Sequence, residues 1–286
     1  TNARVVEVCP GRILDELALG KVVVAAGFQG VTRGGEHTTL GRGGSDTSAI
    51  VLAAALDAEH CDIYSDVDGV YTADPRVVGD ARRLIHVDYD SMLMLARQGA
   101  RVLHAQAVEL ARREGIVIRA RSTFVPGPGT VIGPALDESG PPGATAVTGR
   151  DDLLHVRYDN DDQRHQAVLA AFADCDIVGT NRSDESDGVD LLVSAANIAD
   201  THAFAARLGH SLGTIDIATD MGSVAVVGRH IERSPDALDS ARAALQRTGI
   251  QSLSELMSPG ALTCLVAPDA VDPAVRALHG AFIRSA

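Results

Sequence analysis

Residues 124–144 (FVPGPGTVIGPALDESGPPGA) hold five prolines and five glycines. That density reads as a linker or domain boundary, because every proline removes a backbone donor and every glycine loosens the chain. The segment therefore predicts a boundary, with at most an edge strand at 129–132 and a linker over 133–144. The rest of the chain must fold as two separate bodies, one on each side.

Before the boundary, short β-branched runs alternate with helical ones. Residues 12–19 have apolar positions at helical spacing, and 21–26 (KVVVAA) predict a buried strand. Residues 31–40 predict a hairpin turned at Gly34 and Gly35. Residues 47–58 form a nearly all-apolar run, predicting a helix buried on every side. Further strands are expected at 61–65 and 116–120, with helices at 88–98 and 104–113. Strand–helix alternation of this kind means an α/β sandwich on a largely parallel sheet. After the boundary, strands are expected at 153–157, 189–194, 223–228 and 261–267. Helices are expected at 163–173, 200–209, 236–248 and 273–283, the last two opened by Ser234-Pro235 and Asp272-Pro273. That order reads as two α+β modules of ferredoxin-like type, at 145–218 and 219–286.

Composition narrows the function. At 286 residues the chain has room for about two domains. Lys and Arg total 25 against 38 Asp and Glu, a net charge of 25 − 38 = −13, which makes a poor counterion for nucleic acid. Aromatics are 3% and Trp is absent, so base-stacking platforms are not expected either. No apolar run reaches the ~18 residues of a membrane span, and no membrane partner is expected. Cys9, Cys61, Cys175 and Cys264 are scattered without a CxxC pair, which suits a reducing cytoplasm. Lys21 is the one lysine, so any phosphate contacts beyond one fall to arginine.

Two stretches carry chemistry. GRGGSD at 41–46 runs into the apolar helix, where free N–H groups and the helix dipole favour an anion. Its glycines admit a close approach, and Arg42 offers a planar fork for a carboxylate or phosphate. Ser45 and Asp46 are also good helix caps, and both readings stand. SDVDGVYTADPR at 65–76 begins where a strand ends, the usual ligand edge of an open α/β sheet. Asp66 and Asp68 suit Mg²⁺ or a ribose, Tyr71 suits a nucleotide face and Arg76 its phosphates. The competing reading is a polar turn built on Asp-Gly and Asp-Pro. Neither GxxxxGK[ST] nor a strand-linked GxGxxG is present. No histidines pair at metal-ligand spacing, and no metal-binding residues are assigned. His104 reads as a capping or packing residue.

With those residues in view, the chain resembles the aspartate kinases of the amino-acid-kinase superfamily. The phrases are GKVVVAAGFQG (20–30), TTLGRGGSDTSA (38–49), DIYSDVDGVYTADPRVV (62–78) and GARVLHAQAVELARR (99–113). The resemblance implies an amino-acid-kinase α/β region over 1–132 followed by two ACT-type regulatory modules. It implies phosphorylation of the L-aspartate side-chain carboxylate by ATP with Mg²⁺, the entry step to lysine, threonine and methionine. By family pattern Arg42 clamps the substrate carboxylate, with Gly43, Gly44, Ser45 and Asp46 binding substrate and Asp46 organising the site. Ser65, Asp66, Tyr71, Arg76 and Arg101 fall at nucleotide positions.

The sequence departs from that pattern in places. The family's opening Lys-Phe-Gly-Gly does not occur, and Lys21 falls at the later Gly-Lys-Val-Val-Val strand. Arg101 stands where lysine is usual. In the first module, residues 158–165 (YDNDDQRH) lack the usual Asp-x-Pro-Gly turn. The expectation is an aspartate kinase portion that is inactive by itself and needs an N-terminal half, in the same or another chain. It is expected to assemble as a homo-oligomer through its ACT modules, with lysine or threonine as possible effectors. The alternatives are a non-catalytic pseudokinase or regulatory subunit, and a carboxylate kinase of specialised metabolism.

Overall fold

The computed structural model describes Ala3 and residues 5–137, 143–173, 175–182 and 188–283. Part of the expected linker, 138–142, lies outside the described residues. The chain divides into two compact units. The first comprises Thr1–Tyr71, Arg83–Ala96 and Arg101–Ser139; the second comprises Thr72–Arg82, Arg97–Ala100 and Gly140–Ala286. The boundary is therefore not a single cut after residue 132, because two short segments of the N-terminal half fold with the C-terminal half.

In the first unit, α1 (Gly11–Ala18) precedes a hairpin of β1 (Gln29–Val31) and β2 (His37–Thr39). Helix α2 (Gly44–Ala55) follows, packed against β3 (His60–Ser65) and α4 (Ala105–Glu114). The remaining elements are β4 (His86–Asp88), α3 (Tyr89–Arg97), β5 (Val117–Ser122) and β6 (Thr130–Gly133). The sheet order is β3-β5-β6-β4. Pairs β3–β5 and β4–β6 are parallel and β5–β6 is antiparallel, so the sheet is largely parallel with one antiparallel pairing. Strand β6, expected at an edge, lies inside the sheet.

Two further expectations fail here. Residues 21–26 are not a strand, and Val22 and Val24 are 93% and 94% exposed. β-branched residues favour a strand only where a neighbouring edge takes up their backbone groups and a packed face their side chains, and no described strand pairs with this segment. Helix α2 is not buried all round: Gly44, Ile50 and Ala53 are buried and its other positions are partly or fully exposed.

The second unit contains β7 (Ala146–Asp159), α5 (Asp162–Ala171), β8 (Ile177–Arg182), β9 (Gly188–Ser194), α6 (Thr201–Leu212) and β10 (Ile215–Val227). It continues with α7 (Ala237–Arg247), β11 (Ser254–Ser258), β12 (Ala261–Val266) and α8 (Val271–Phe282). One six-stranded sheet runs β11-β12-β10-β7-β9-β8, and its pairings are all antiparallel. The two ferredoxin-like modules share it through their long strands. The C-terminal half of β7 pairs with the start of β10 (Leu153 with Met221, Tyr158 with Ile215) and serves the first module. The N-terminal half of β7 pairs with the end of β10 (Ala146 with Val227, Arg150 with Ser223) and supplies the second module's fourth strand. The expected division at 218/219 thus falls inside a strand. Register shifts lie at the crossover, between Ala218 and Ser223. A Cβ at Gly149 would sit 2.6 Å, and one at Gly222 2.5 Å, from the γ-carbons of Val271. Glycine there is what lets the start of α8 approach the two crossing strands.

Separate cores fill the module interiors, with Phe172, Val156 and Leu191 in the first and Val226, Leu262 and Leu278 in the second. A third cluster joins Leu153, Val178 and Leu192 to Leu256 and Leu265, where the outer strands β8 and β11 approach each other. Helix starts differ from the proline signals: α7 is preceded by Asp236 and α8 by Ala270, which puts Pro273 inside the first turn.

Candidate active site

The glycine loop is built around one left-handed residue. Gly43, immediately before α2, has φ +66°, and a Cβ on it would lie 2.3 Å from Cβ and Cγ of His104. No L side chain fits there. Gly44 is crowded on the other side, since its Cβ would meet the Phe28 ring at 2.8 Å and Leu40 Cβ at 3.0 Å. The Phe28 N–H donates to Ser48 Oγ at 3.0 Å, and Ser48 Oγ donates to the Gly44 carbonyl at 2.7 Å. The loop 27–30 is thereby fastened over the first turn of α2.

This decides the capping alternative. No side chain caps α2, and Ser45 and Asp46 stand inside its first turn. Gly44 N–H donates to the Gly41 carbonyl at 3.1 Å, while a helix start leaves the next N–H groups without partners inside the helix. Burial raises the Asp46 pKa, opposed by a hydrogen bond from the His104 backbone N–H and by the nearby His104 ring. Burial also raises the Cys61 thiol pKa, helped by the charges of Asp62 and Asp46.

His104, expected as a capping or packing residue, does both. Its side chain does cap α4, with Nδ1 accepting from the Gln106 N–H at 3.4 Å. It also fills the space that Gly43 leaves open. Some 60 residues separate the two, so no local spacing signalled the contact.

The second cluster leaves the end of β3. Ser65 Oγ accepts from the Val67 N–H at 3.3 Å, and Tyr71 OH donates to Asp68 Oδ1 at 2.9 Å. Burial and that bond raise the Tyr71 pKa. Arg83 lies 3.5 Å from Asp68 Oδ2. Beneath the turn, Thr130 Oγ1 accepts from the Val70 N–H at 2.9 Å and donates to the Leu84 carbonyl at 2.6 Å. Asp66 and Arg101 are exposed. Arg42, Gly43, Gly44, Ser45, Asp46, Ser65, Asp66, Tyr71 and Arg101 all belong to the first unit, whereas Arg76 belongs to the second. Arg76 closes a turn with Asp74, with its backbone N–H at 2.8 Å from Oδ1 and its guanidinium at 2.6 Å from Oδ2. Among the described residues, no group of three or more His, Cys, Asp or Glu is placed to hold a metal ion. No described helix is long and apolar enough to cross a membrane.

Residues 1–121 match the amino acid kinase family. Over 98% of its length the chain is 35% identical to an aspartokinase of Mycolicibacterium smegmatis, covering 70% of that protein. It is 36% identical to one of Thermus thermophilus, again over 98% of the chain and covering 72% of the relative. Among solved structures, E. coli aspartokinase III in complex with aspartate and ADP superposes with a TM-score of 0.81 at 25% identity. That match takes in 96% of this chain and 64% of the aspartokinase III chain, so the sequence spans just under two thirds of that structure's length. The architecture is accordingly an amino-acid-kinase α/β region followed by two ACT-type modules, and full-chain identities of this size place the protein in the aspartokinase family.

Proposed function

We propose that the first unit binds L-aspartate and ATP for transfer of the γ-phosphoryl group to the aspartate side-chain carboxylate, giving 4-phospho-L-aspartate and ADP. The observation that carries the reading is the glycine loop. A left-handed Gly43 seated against His104 opens the first turn of α2, with Arg42 beside it as the cation for a carboxylate. Phosphoryl transfer asks mainly for positioning and charge neutralisation, which a helix start and an arginine fork provide. In this reading Asp46, already destabilised as an anion by burial, organises the loop. Ser65, Asp66, Tyr71, Arg76 and Arg101 take the nucleotide, and Mg²⁺ arrives on its phosphates.

Support from relatives is the bound aspartate and ADP of E. coli aspartokinase III. Lys21, the one lysine of this sequence, is paired with Glu16 at 2.5 Å, and the phosphate cations assigned in this reading, Arg76 and Arg101, are arginines. We place the protein in the cytoplasm on its substrates and its four scattered cysteines, which form no CxxC pair, at the first step toward lysine, threonine and methionine. We read the ACT-type modules as the assembly and effector-binding part, with lysine as one candidate; E. coli aspartokinase III has also been solved with lysine and aspartate.

Calorimetric binding of aspartate and of MgATP, each to Arg42→Ala and Arg76→Ala, tests the assignment. Arg42→Ala should lose on the order of 2–4 kcal/mol of aspartate affinity, the cost of leaving a charged partner unpaired, and keep MgATP. Arg76→Ala should show the reverse preference. Equal losses of both ligands in both variants, following a fall in melting temperature, would mean the arginines hold the fold rather than the ligands.

A further inference from the structure

The segment that carries Arg76 is built into the regulatory core. Loop Thr72–Arg82 belongs to the second unit. There Ala73 and Val78, each 4% exposed, join the buried cluster of Val147, Val226, Ile231 and Leu278. The Thr72 carbonyl accepts from the Val147 N–H at 2.8 Å, which ties the loop to β7. The loop closes on itself at the same residue: Thr72 N–H donates to the Arg82 carbonyl at 2.9 Å, and Thr72 Oγ1 accepts from the Arg82 N–H at 3.0 Å. Between these ends, the Asp74 carbonyl accepts from Val77 and Val78 N–H at 2.9 Å, and the Asp74 carboxylate holds Arg76.

One side chain of α8 completes the closure. His279 Nε2 lies 3.0 Å from Thr72 Oγ1, and both residues are buried, at 5% and 4% exposure. A buried hydroxyl without its partner is costly, so the Thr72–His279 pair fixes where the loop enters and leaves. We propose that His279 is a positioning residue for the nucleotide: through Thr72 it sets the backbone that presents Arg76, giving the second regulatory module a direct hold on a substrate contact. The inference rests on the reading of Arg76 as a nucleotide residue. It makes α8 the element whose displacement alters nucleotide affinity.

The test combines hydrogen exchange with MgATP and aspartate calorimetry on the full chain, comparing His279→Leu, His279→Gln, Thr72→Val and Arg76→Ala. His279→Leu and Thr72→Val should speed exchange at Arg82 and Val147 by ~10-fold or more, as expected for a local opening, without changing exchange in α7. Both should weaken MgATP by about three- to tenfold, the scale of a lost positioning contact, and leave aspartate affinity unchanged. His279→Gln, which can still bond Thr72, should restore both readouts. Unchanged exchange in both His279→Leu and Thr72→Val overturns the clamp. Faster exchange with undiminished MgATP affinity, where Arg76→Ala does weaken MgATP, overturns the positioning role. If Arg76→Ala itself leaves MgATP binding intact, the nucleotide reading of Arg76 fails, and the inference with it.

Discussion

Replacing Gly43 by alanine makes a quantitative test of how the glycine loop is built, because the cost has two separable parts. Gly43 sits at φ +66°, and an L residue pays about 1–2 kcal/mol for that conformation. In addition, its new Cβ would lie 2.3 Å from His104 Cβ and Cγ. Contact that close is impossible, so the His104 side chain or the loop must move, at a further ~1–3 kcal/mol typical of overpacking. Gly35 isolates the first part: it has φ +84° with nothing within 4 Å of a built Cβ. Gly35→Ala should therefore cost about 1–2 kcal/mol and Gly43→Ala about 2–5 kcal/mol. Urea unfolding followed by circular dichroism, taking the transition of the first unit, measures both. In a His104→Gly background, which removes Cβ along with the ring, the cost of Gly43→Ala should fall to that of Gly35→Ala, since the clash is gone and the φ strain remains. Aspartate binding should weaken in Gly43→Ala and be unaffected in Gly35→Ala. The reasoning is refuted if the two alanines cost the same in the parent chain, or if the excess at Gly43 survives in the His104→Gly background.

Three further outcomes follow from the same geometry. Asp46→Asn should raise the melting temperature at neutral pH while weakening substrate binding: burial raises the Asp46 pKa, so the native state favours the protonated acid and loses stability as pH rises through that value. The His279 pKa is depressed by burial, with Asp80 opposing and Arg82 adding to that shift. The unfolded chain therefore protonates first, and melting temperature should fall as pH drops below the ordinary value of 6.5; His279→Gln should flatten the profile recorded by calorimetry. Residues 145–218 expressed alone should fail to give a cooperative unfolding transition, because the cut severs β10 and strands the half of β7 that completes the other module.

The regulatory half was legible as elements and illegible as topology. Strands at 189–194 and 261–267 stood out because they are interior and mostly apolar, and the structure buries every residue of β12. Strands β8 and β11 went unread because they are the outer strands, with polar and exposed positions that carry no periodic signal. The sharing of β7 and β10 was invisible for a different reason. Of a 14-residue strand and a 13-residue strand only 153–157 and 223–228 were expected, because their two mutual pairings join residues 57 to 81 positions apart. The apolar run at 21–26 shows the converse failure. Its β-branched composition states what the segment favours when paired, and pairing is not a property of the segment.

In the candidate site, the local part was readable and the tertiary part was not. Three glycines around Arg42 announced a close-packed loop at a helix start, and the structure gives the reason at two of them, since Gly43 and Gly44 each leave no room for a Cβ. What fills that room, the His104 ring at one and Phe28 with Leu40 at the other, arrives from elsewhere in the chain. The same limit applies to Asp74 and Arg76. Sequence shows an Asp-x-Arg pair in a turn, and the turn forms. Sequence does not show that the turn is anchored through Thr72 to a histidine 207 positions further on. A nucleotide motif read as one continuous phrase from Ser65 to Arg76 is thus divided by the fold between two units. The part after Tyr71 packs in the core of the second unit, and on the proposed reading of Arg76 a substitution in α8 weakens nucleotide binding without touching the residues that read as the site.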